Sequence, residues 1–329
     1  MEDQKNYVDK LIVPQYFDNF NMKTLEDLAL NYANEVDYII FTSDVNTDRF
    51  PNKKILGNQN TKHITDKYQM YKKLHKNFLM PKTYKLETIQ EAREIIKNSP
   101  ETRYIIKPVT GTGGIGIKDF SDEADMDESF LLQEHIEGNN VSSSFLSYKN
   151  HEIDMVTTSD QIIGSHMLGA EQYMYCGNIT PLINSNPKLI NISTKISKMY
   201  KLLGSNGIDF ILHNNNVYVI EVNPRIQGTF ECIENSFNMN LAKAHIDSCN
   251  DEKVEIPSLN NFTVKLIPYS YEDAKYNLKK QEYIHDISNK NELIKKGHPI
   301  STIIVSDRIL ENAMSKAEII RKKVYNSII

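Results

Sequence analysis

The chain has 329 residues, with 38 Lys and Arg against 43 Asp and Glu and a formal net charge of −5. No surplus of positive charge argues for nucleic acid or an anionic membrane surface as a partner, and a locally captured small molecule fits better. The length is enough for a sizeable core and two or three subdomains.

Three widely spaced cysteines, Cys176, Cys232 and Cys249, form no Cys-x-x-Cys pair, which sets aside zinc and dithiol chemistry and fits a reducing, cytoplasmic setting. No run approaches the roughly 18 apolar residues of a membrane span, and the opening MEDQKNYVDK holds no apolar signal core. Residues 11–17 are expected as a strand. Leu25, Leu28, Tyr32 and Ala33 recur at helical spacing and predict a helix over 24–35, while VDYIIFT predicts a buried strand over 36–42. This alternation is the pattern of a parallel sheet. A short strand is expected to end at Gly57, a helix to run over 64–77 with Pro81 after it, a second helix over 87–98 and a strand over 104–107.

Lys107 and Pro108 then open KPVTGTGGIGIKDF. Gly111, Gly113, Gly114 and Gly116 match G-x-G-x-x-G, but a dinucleotide fingerprint requires a helix next, and an acidic stretch follows instead. No Gly-Lys-Ser/Thr run makes a P-loop. The glycines therefore predict the tip of a β-hairpin, either a plain turn or one whose N–H groups can approach phosphate oxygens. LLQEHI over 131–136 and residues 141–148 read as strands; the turn between them is a simple connection or a strip of backbone facing an adenine ring. The loop MYCGNITPL, with Gly177, Asn178 and Pro181, reads as a constrained turn that could line a substrate site.

A helix over 189–203 leads to two strands, 208–212 and 217–222. Strand alternation sends Glu221 and Asn223 to one face and Val222 to the other, with Asp209 able to join the first pair. Two carboxylates and an amide oxygen suit Mg2+ held partly by phosphate, although an ordinary hairpin with a polar face has the same residues. A helix over 233–249, strands over 263–270 and 301–306 and a helix over 309–325 complete the chain.

In this order, Lys107 with its glycine hairpin, the Gln133-Glu134 strand, Asp209 and Glu221-x-Asn223-x-Arg225 resemble the ATP-grasp superfamily, in particular the branch of biotin carboxylase and carboxylate–amine ligases. The resemblance covers roughly residues 57–249, and the tail GHPISTIIVSD looks like the carboxy-terminal strands of that branch. It implies an α/β (α+β) ATP-grasp fold: an amino-terminal α/β subdomain and linker helix over 1–80, expected to be shortened or to start late because MEDQKNYVDKLIVPQYF lacks the opening strand and glycine turn usual in this branch, a lid over 81–137 and an antiparallel-sheet subdomain over 138–329. ATP would lie between the last two. Lys67 and Lys107 would bind phosphate under the lid glycines Gly111, Gly113 and Gly114. Glu134, His135 and Ile136 would face adenine, with Glu137 near ribose. Asp209, Glu221 and Asn223 would hold Mg2+, with Mn2+ as an alternative, and Arg225 with Lys107 would act at the reacting centre.

The implied activity is an ADP-forming ligase joining a small-molecule carboxylate to an amine through an acyl phosphate; a homo-oligomer is compatible with it. A bicarbonate-activating carboxylase and a non-catalytic nucleotide-binding regulator are the alternatives. After Asn223 the chain reads RIQGTFE, with Glu231 at a spacing unlike that of biotin carboxylase, which favours C–N bond formation.

Overall fold

Apolar residues in strands of period two build two antiparallel sheets, and the site lies in the cavity between them. The computed structural model describes residues 8–12, 22–111, 113–121, 128–184, 186–279, 281–288 and 292–329; the strand expected over 11–17 falls mostly outside them.

Helix α1 (Met22–Leu30) is shorter than its apolar pattern predicts and ends in a turn over 31–35. The buried strand expected over 36–42 does not form. Ile39 makes one parallel bridge, to Ile55, and packs with Phe41 against Ala33 and Phe50, whereas Val36 and Tyr38 are exposed. An apolar run becomes an inner strand only where both faces are covered, and this one is covered on one side. The parallel sheet is thus reduced, among the described residues, to that bridge.

The helix expected over 64–77 is two helices, α2 (Lys62–Thr65) and α3 (Lys67–Leu74). Asp66 takes extended dihedrals, φ −70° and ψ 106°, and its carboxylate accepts the N–H groups of Tyr68 and Gln69 as the cap of α3. The break places Lys67 at the first position of α3, where it is buried.

The smaller sheet contains β1 (Thr83–Leu86), β2 (Tyr104–Pro108), β3 (Lys118–Asp119) and β4 (Phe130–Glu134) in the order β1-β4-β2-β3. Helix α4 (Ile89–Lys97) starts at a capping box of Thr88 and Glu91. Its Ala92, Ile89, Ile95 and Ile96 cover Tyr104, Ile106, Phe130 and Leu132. Burying each large side chain stabilises the layer by roughly 1.5–3 kcal/mol. By alternation, Lys107 and Gln133 then point away from α4.

The larger sheet runs β11-β12-β10-β7-β6-β5-β8-β9, with every pairing antiparallel. Its strands are β5 (Asn139–Ser147), β6 (Ile153–Ile163), β7 (Tyr175–Thr180), β8 (Gly204–His213), β9 (Asn216–Asn223), β10 (Phe262–Leu266), β11 (Ile284–His285) and β12 (Thr302–Asp307). Met70 and Leu74 of α3 and Leu189 and Ile196 of α5 (Pro187–Tyr200) join Phe145, Ile208, Phe210, Val219 and Val222 in one core. Helix α8 (Leu310–Tyr325) forms another with β12.

Two further expectations are corrected. MYCGNITPL is not a turn: Tyr175–Thr180 is inner strand β7, between β6 and β10. Gly177 is required there because its φ is 145° and a Cβ would lie 2.0 Å from the Lys265 carbonyl oxygen of β10. The helix expected over 233–249 divides into α6 (Phe230–Phe237) and α7 (Leu241–Cys249), since Asn238 adopts φ 50° and Asn240 caps α7 through the Lys243 N–H. Among the described residues no helix is long and apolar enough to cross a membrane.

Candidate active site

The β8–β9 hairpin sets Asp209 directly opposite Glu221 and interrupts its register between Asp209 and Phe210. The bulge shifts the phase of β9. Val217, Val219 and Val222 face the core, while Ile220, Glu221 and Asn223 all line the cavity between the two sheets. Asp209 Oδ1 accepts the Gln161 amide at 2.9 Å and Oδ2 accepts the Asn223 amide at 3.0 Å. Burial first and the neighbouring Glu221 next push the Asp209 carboxyl up to about 7, against the pull of Asn223, Arg225 and Gln161. Two such carboxylates side by side favour a cation between them.

Among the described residues no group of three His, Cys, Asp or Glu side chains could hold a metal. The hard oxygen donors that line this part of the cavity are the two carboxylates and the Asn223 amide oxygen. Hard oxygen donors of this number fit Mg2+, which keeps several positions for water and phosphate.

Lys67 Nζ donates to Glu221 at 2.7 Å and to the Gly111 carbonyl. Lys107 is 3% exposed and donates to Gln133 at 3.1 Å, and Gln133 donates in turn to Thr83 at 2.8 Å. Burial first and the Lys67 charge second lower the Lys107 ammonium to about 8. Two buried ammonium groups so close together are costly alone and suit a polyanion.

The cavity has a volume of about 630 Å3 and is walled by Lys107, Gly113, Gly114, Glu134, His135, Ile136, Glu137, Asp209, Glu221, Asn223 and Arg225. Lys67 and Gly111 stand behind this wall, joined to it through Glu221. Pro81, Ile105, Ile136, Ile211 and Ile220 make one end apolar, as a flat heterocycle needs. At that end the Glu134 N–H donates to Lys82 O at 2.9 Å, the Glu134 carboxylate accepts the Lys82 N–H at 3.2 Å, and the His135 N–H donates to Arg103 O at 2.8 Å. Glu137 lies exposed at the rim, where its carbonyl accepts from His213.

The glycine segment is a turn in an antiparallel hairpin, with Ile105 opposite Asp119 and Ile106 opposite Lys118. Gly111, Gly113, Gly114 and Gly116 all have positive φ. At Gly114 a Cβ would lie 1.9 Å from the Tyr173 carbonyl oxygen.

Arg225 donates to both oxygens of Asp44, at 2.6 and 3.2 Å. Burial pulls its pKa down, but Asp44, together with the charges of Glu221 and Asp209, holds it above the ordinary value. Asp44, Gln161 and Tyr173 are the residues that sequence reasoning missed, and Gln133, named with its strand, was given no role. Alternation along β6 and β4 could have flagged the two glutamines as polar residues on a cavity face; nothing local marks Asp44 or Tyr173.

A family model described as an ATP-grasp domain matches residues 64–229. An uncharacterised protein of Methanocaldococcus jannaschii is 33% identical over 323 residues, spanning 93% of this chain and 79% of that protein. The tyramine–L-glutamate ligase of the same organism is 27% identical over 262 residues, 74% of this chain and 78% of the ligase. A biotin carboxylase from Campylobacter jejuni superposes with a TM-score of 0.69 at 14% identity, over 94% of this chain and 78% of that one. N5-carboxyaminoimidazole ribonucleotide synthetase from Thermotoga maritima gives 0.67 at 16%, over 92% and 84%. At such identities these two structures show a shared fold. The paired sheets, the cavity between them and the match over half the chain together establish that the protein belongs to the ATP-grasp family.

Proposed function

We propose that this protein is an ADP-forming ligase that uses ATP and Mg2+ to join a small-molecule carboxylate to an amine through an acyl phosphate. The observation that carries the reading is the convergence of the Asp209–Glu221 pair with Lys107 and Arg225 around one cavity, with Lys67 behind its wall and bonded to Glu221. The similarity to tyramine–L-glutamate ligase supports the choice of an amine acceptor. Similarity to biotin carboxylases at 14–17% identity is a matter of fold and does not favour bicarbonate.

In the first step a substrate carboxylate oxygen attacks the ATP γ-phosphorus, and the bond to the ADP oxygen breaks. In the second, the amine nitrogen attacks the acyl carbon, loses a proton, and phosphate leaves. Such transfers depend on charge neutralisation and positioning. Lys67 and Lys107 hold phosphate oxygens, and Arg225, fixed by Asp44, faces the charge at the reacting centre. Asp209, Glu221 and Asn223 would hold Mg2+, which supplies neutralisation of phosphate charge. The glycine turn screens the acyl phosphate from water.

An ADP-release screen over pairs of carboxylic acids and amines, amino acids included, tests the reading. ADP formation that requires both members of a pair is expected. Release driven by bicarbonate with no amine would support a carboxylase instead, and nucleotide binding without turnover on any pair would support a regulator.

A further inference from the structure

Between Ile163 and Tyr175 the chain does not turn tightly from β6 to β7 but reaches across to the smaller sheet. The base of this loop is closed by the Gly164 N–H donating to Met174 O at 2.9 Å. At its far side the Tyr173 hydroxyl donates to Asp119 Oδ1 at 2.6 Å. Arg103 grips the same carboxylate at 2.8 and 2.9 Å. With its amide turned to satisfy both neighbours, Gln172 donates to Asp119 at 3.1 Å and accepts from Arg103 at 2.9 Å.

The same loop touches the glycine turn and the hinge. The Tyr173 carbonyl fills the space beside Gly114, and the Tyr175 N–H donates to Gly113 O at 3.1 Å. The Tyr173 ring stands edge-on to His135, with centroids 6.1 Å apart, and lines the cavity. The Arg103–Asp119 pair is about half exposed, so as an isolated ion pair it would contribute little. What it does is orient Asp119 toward the loop. Burial, and then Asp119, push the Tyr173 hydroxyl well up, which keeps it a neutral donor.

We propose that Tyr173 is a positioning residue of the nucleotide site: through Asp119 it ties the glycine turn to the larger sheet and thereby sets how fast a bound nucleoside diphosphate leaves. This rests on the reading of the cavity as a nucleotide site. A hydroxyl bonded to a carboxylate is among the stronger hydrogen bonds, so its loss speeds opening of the turn by about tenfold.

The test is stopped-flow displacement of N-methylanthraniloyl-ADP, with Mg2+, from the full chain by excess ADP. Tyr173→Phe keeps the ring and removes the bond; Tyr148→Phe removes a similar hydroxyl–carboxylate bond, to Asp154, remote from the cavity. Tyr173→Phe is expected to release the probe about tenfold faster, while Tyr148→Phe releases it at the wild-type rate. Wild-type release from Tyr173→Phe overturns the proposal, as does equal acceleration by both variants. Should Tyr173→Phe fail to fold, Asp119→Asn weakens the bond from its other end and must also accelerate release; an unchanged rate there overturns the proposal. Failure of the wild-type protein to bind the probe overturns the nucleotide reading itself, and this inference with it.

Discussion

The two sides of the cavity are built by opposite means. On the hairpin side, charged groups are buried and held by side-chain hydrogen bonds, Asp209 of β8 by Gln161 and Asn223 and Arg225, just past β9, by Asp44; Lys107 of β2, in the smaller sheet, is buried and held in the same way by Gln133. On the lid side the contacts are mostly backbone, made by glycines at positive φ and tied down by a half-exposed cluster around Asp119. The first arrangement stores unfavourable electrostatics that a bound polyanion and cation would relieve. The second rests on exposed and half-exposed residues. Fixed charges serve orientation and charge neutralisation, whereas a turn with few buried contacts serves entry and release.

Replacing a fixed charge should therefore cost function and relieve the empty protein, and Lys107 offers the largest effect of this kind. Lys107→Gln is expected to weaken ATP binding by on the order of 10²-fold, read by calorimetric titration. In the unliganded protein the opposite holds for stability. The Lys107 pKa is about 8 when folded against an ordinary 10.5, so the folded state disfavours the ammonium. The penalty, about 3 kcal/mol, is present in full below pH 8, shrinks between 8 and 10.5 and vanishes above. Denaturant midpoints should show wild-type stability rising over that window, and Lys107→Gln should lack the rise. A wild-type curve without it would mean that the ammonium is solvated.

Changing the lid should act more gently and on access alone. Gly114→Ala forces a Cβ against the Tyr173 carbonyl at a φ of 81°, so the turn cannot seat. KM for ATP should rise about tenfold, with a stability change of about 1–3 kcal/mol, while Mg2+ dependence is retained. An unchanged KM would show that the turn plays no part in holding nucleotide.

The same contrast explains what could be read from the sequence. The hairpin site was legible because strand alternation is local: it put Glu221 and Asn223 on one face, with Asp209 able to join them, before any tertiary contact was known. Its bulge was not legible, and without it Ile220 would have been assigned to the core. Lys67 followed from the resemblance, while the reason it points inward, the Asp66 cap that restarts the helix, lay hidden in an apparently continuous helical pattern. Strand β7 was misread because Gly177, Asn178 and Pro181 have the composition of a turn, whereas the glycine answers to the backbone of β10, some 90 residues later in the chain. Residues 36–42 were misread in the opposite direction, as an apolar run with nothing to cover its second face. Asp44 meets Arg225 across 181 residues and Tyr173 meets Asp119 across 54, separations over which local patterns carry no information.

The central claim, that the carboxylates opposite the lid hold a divalent cation shared with the nucleotide, is tested most directly by ADP affinity with and without Mg2+ in wild type and Glu221→Gln. Wild type should bind ADP at least about tenfold more tightly with Mg2+, and Glu221→Gln, folded to the same extent by circular dichroism, should lose that gain. An equal response to Mg2+ in both proteins would contradict the assignment.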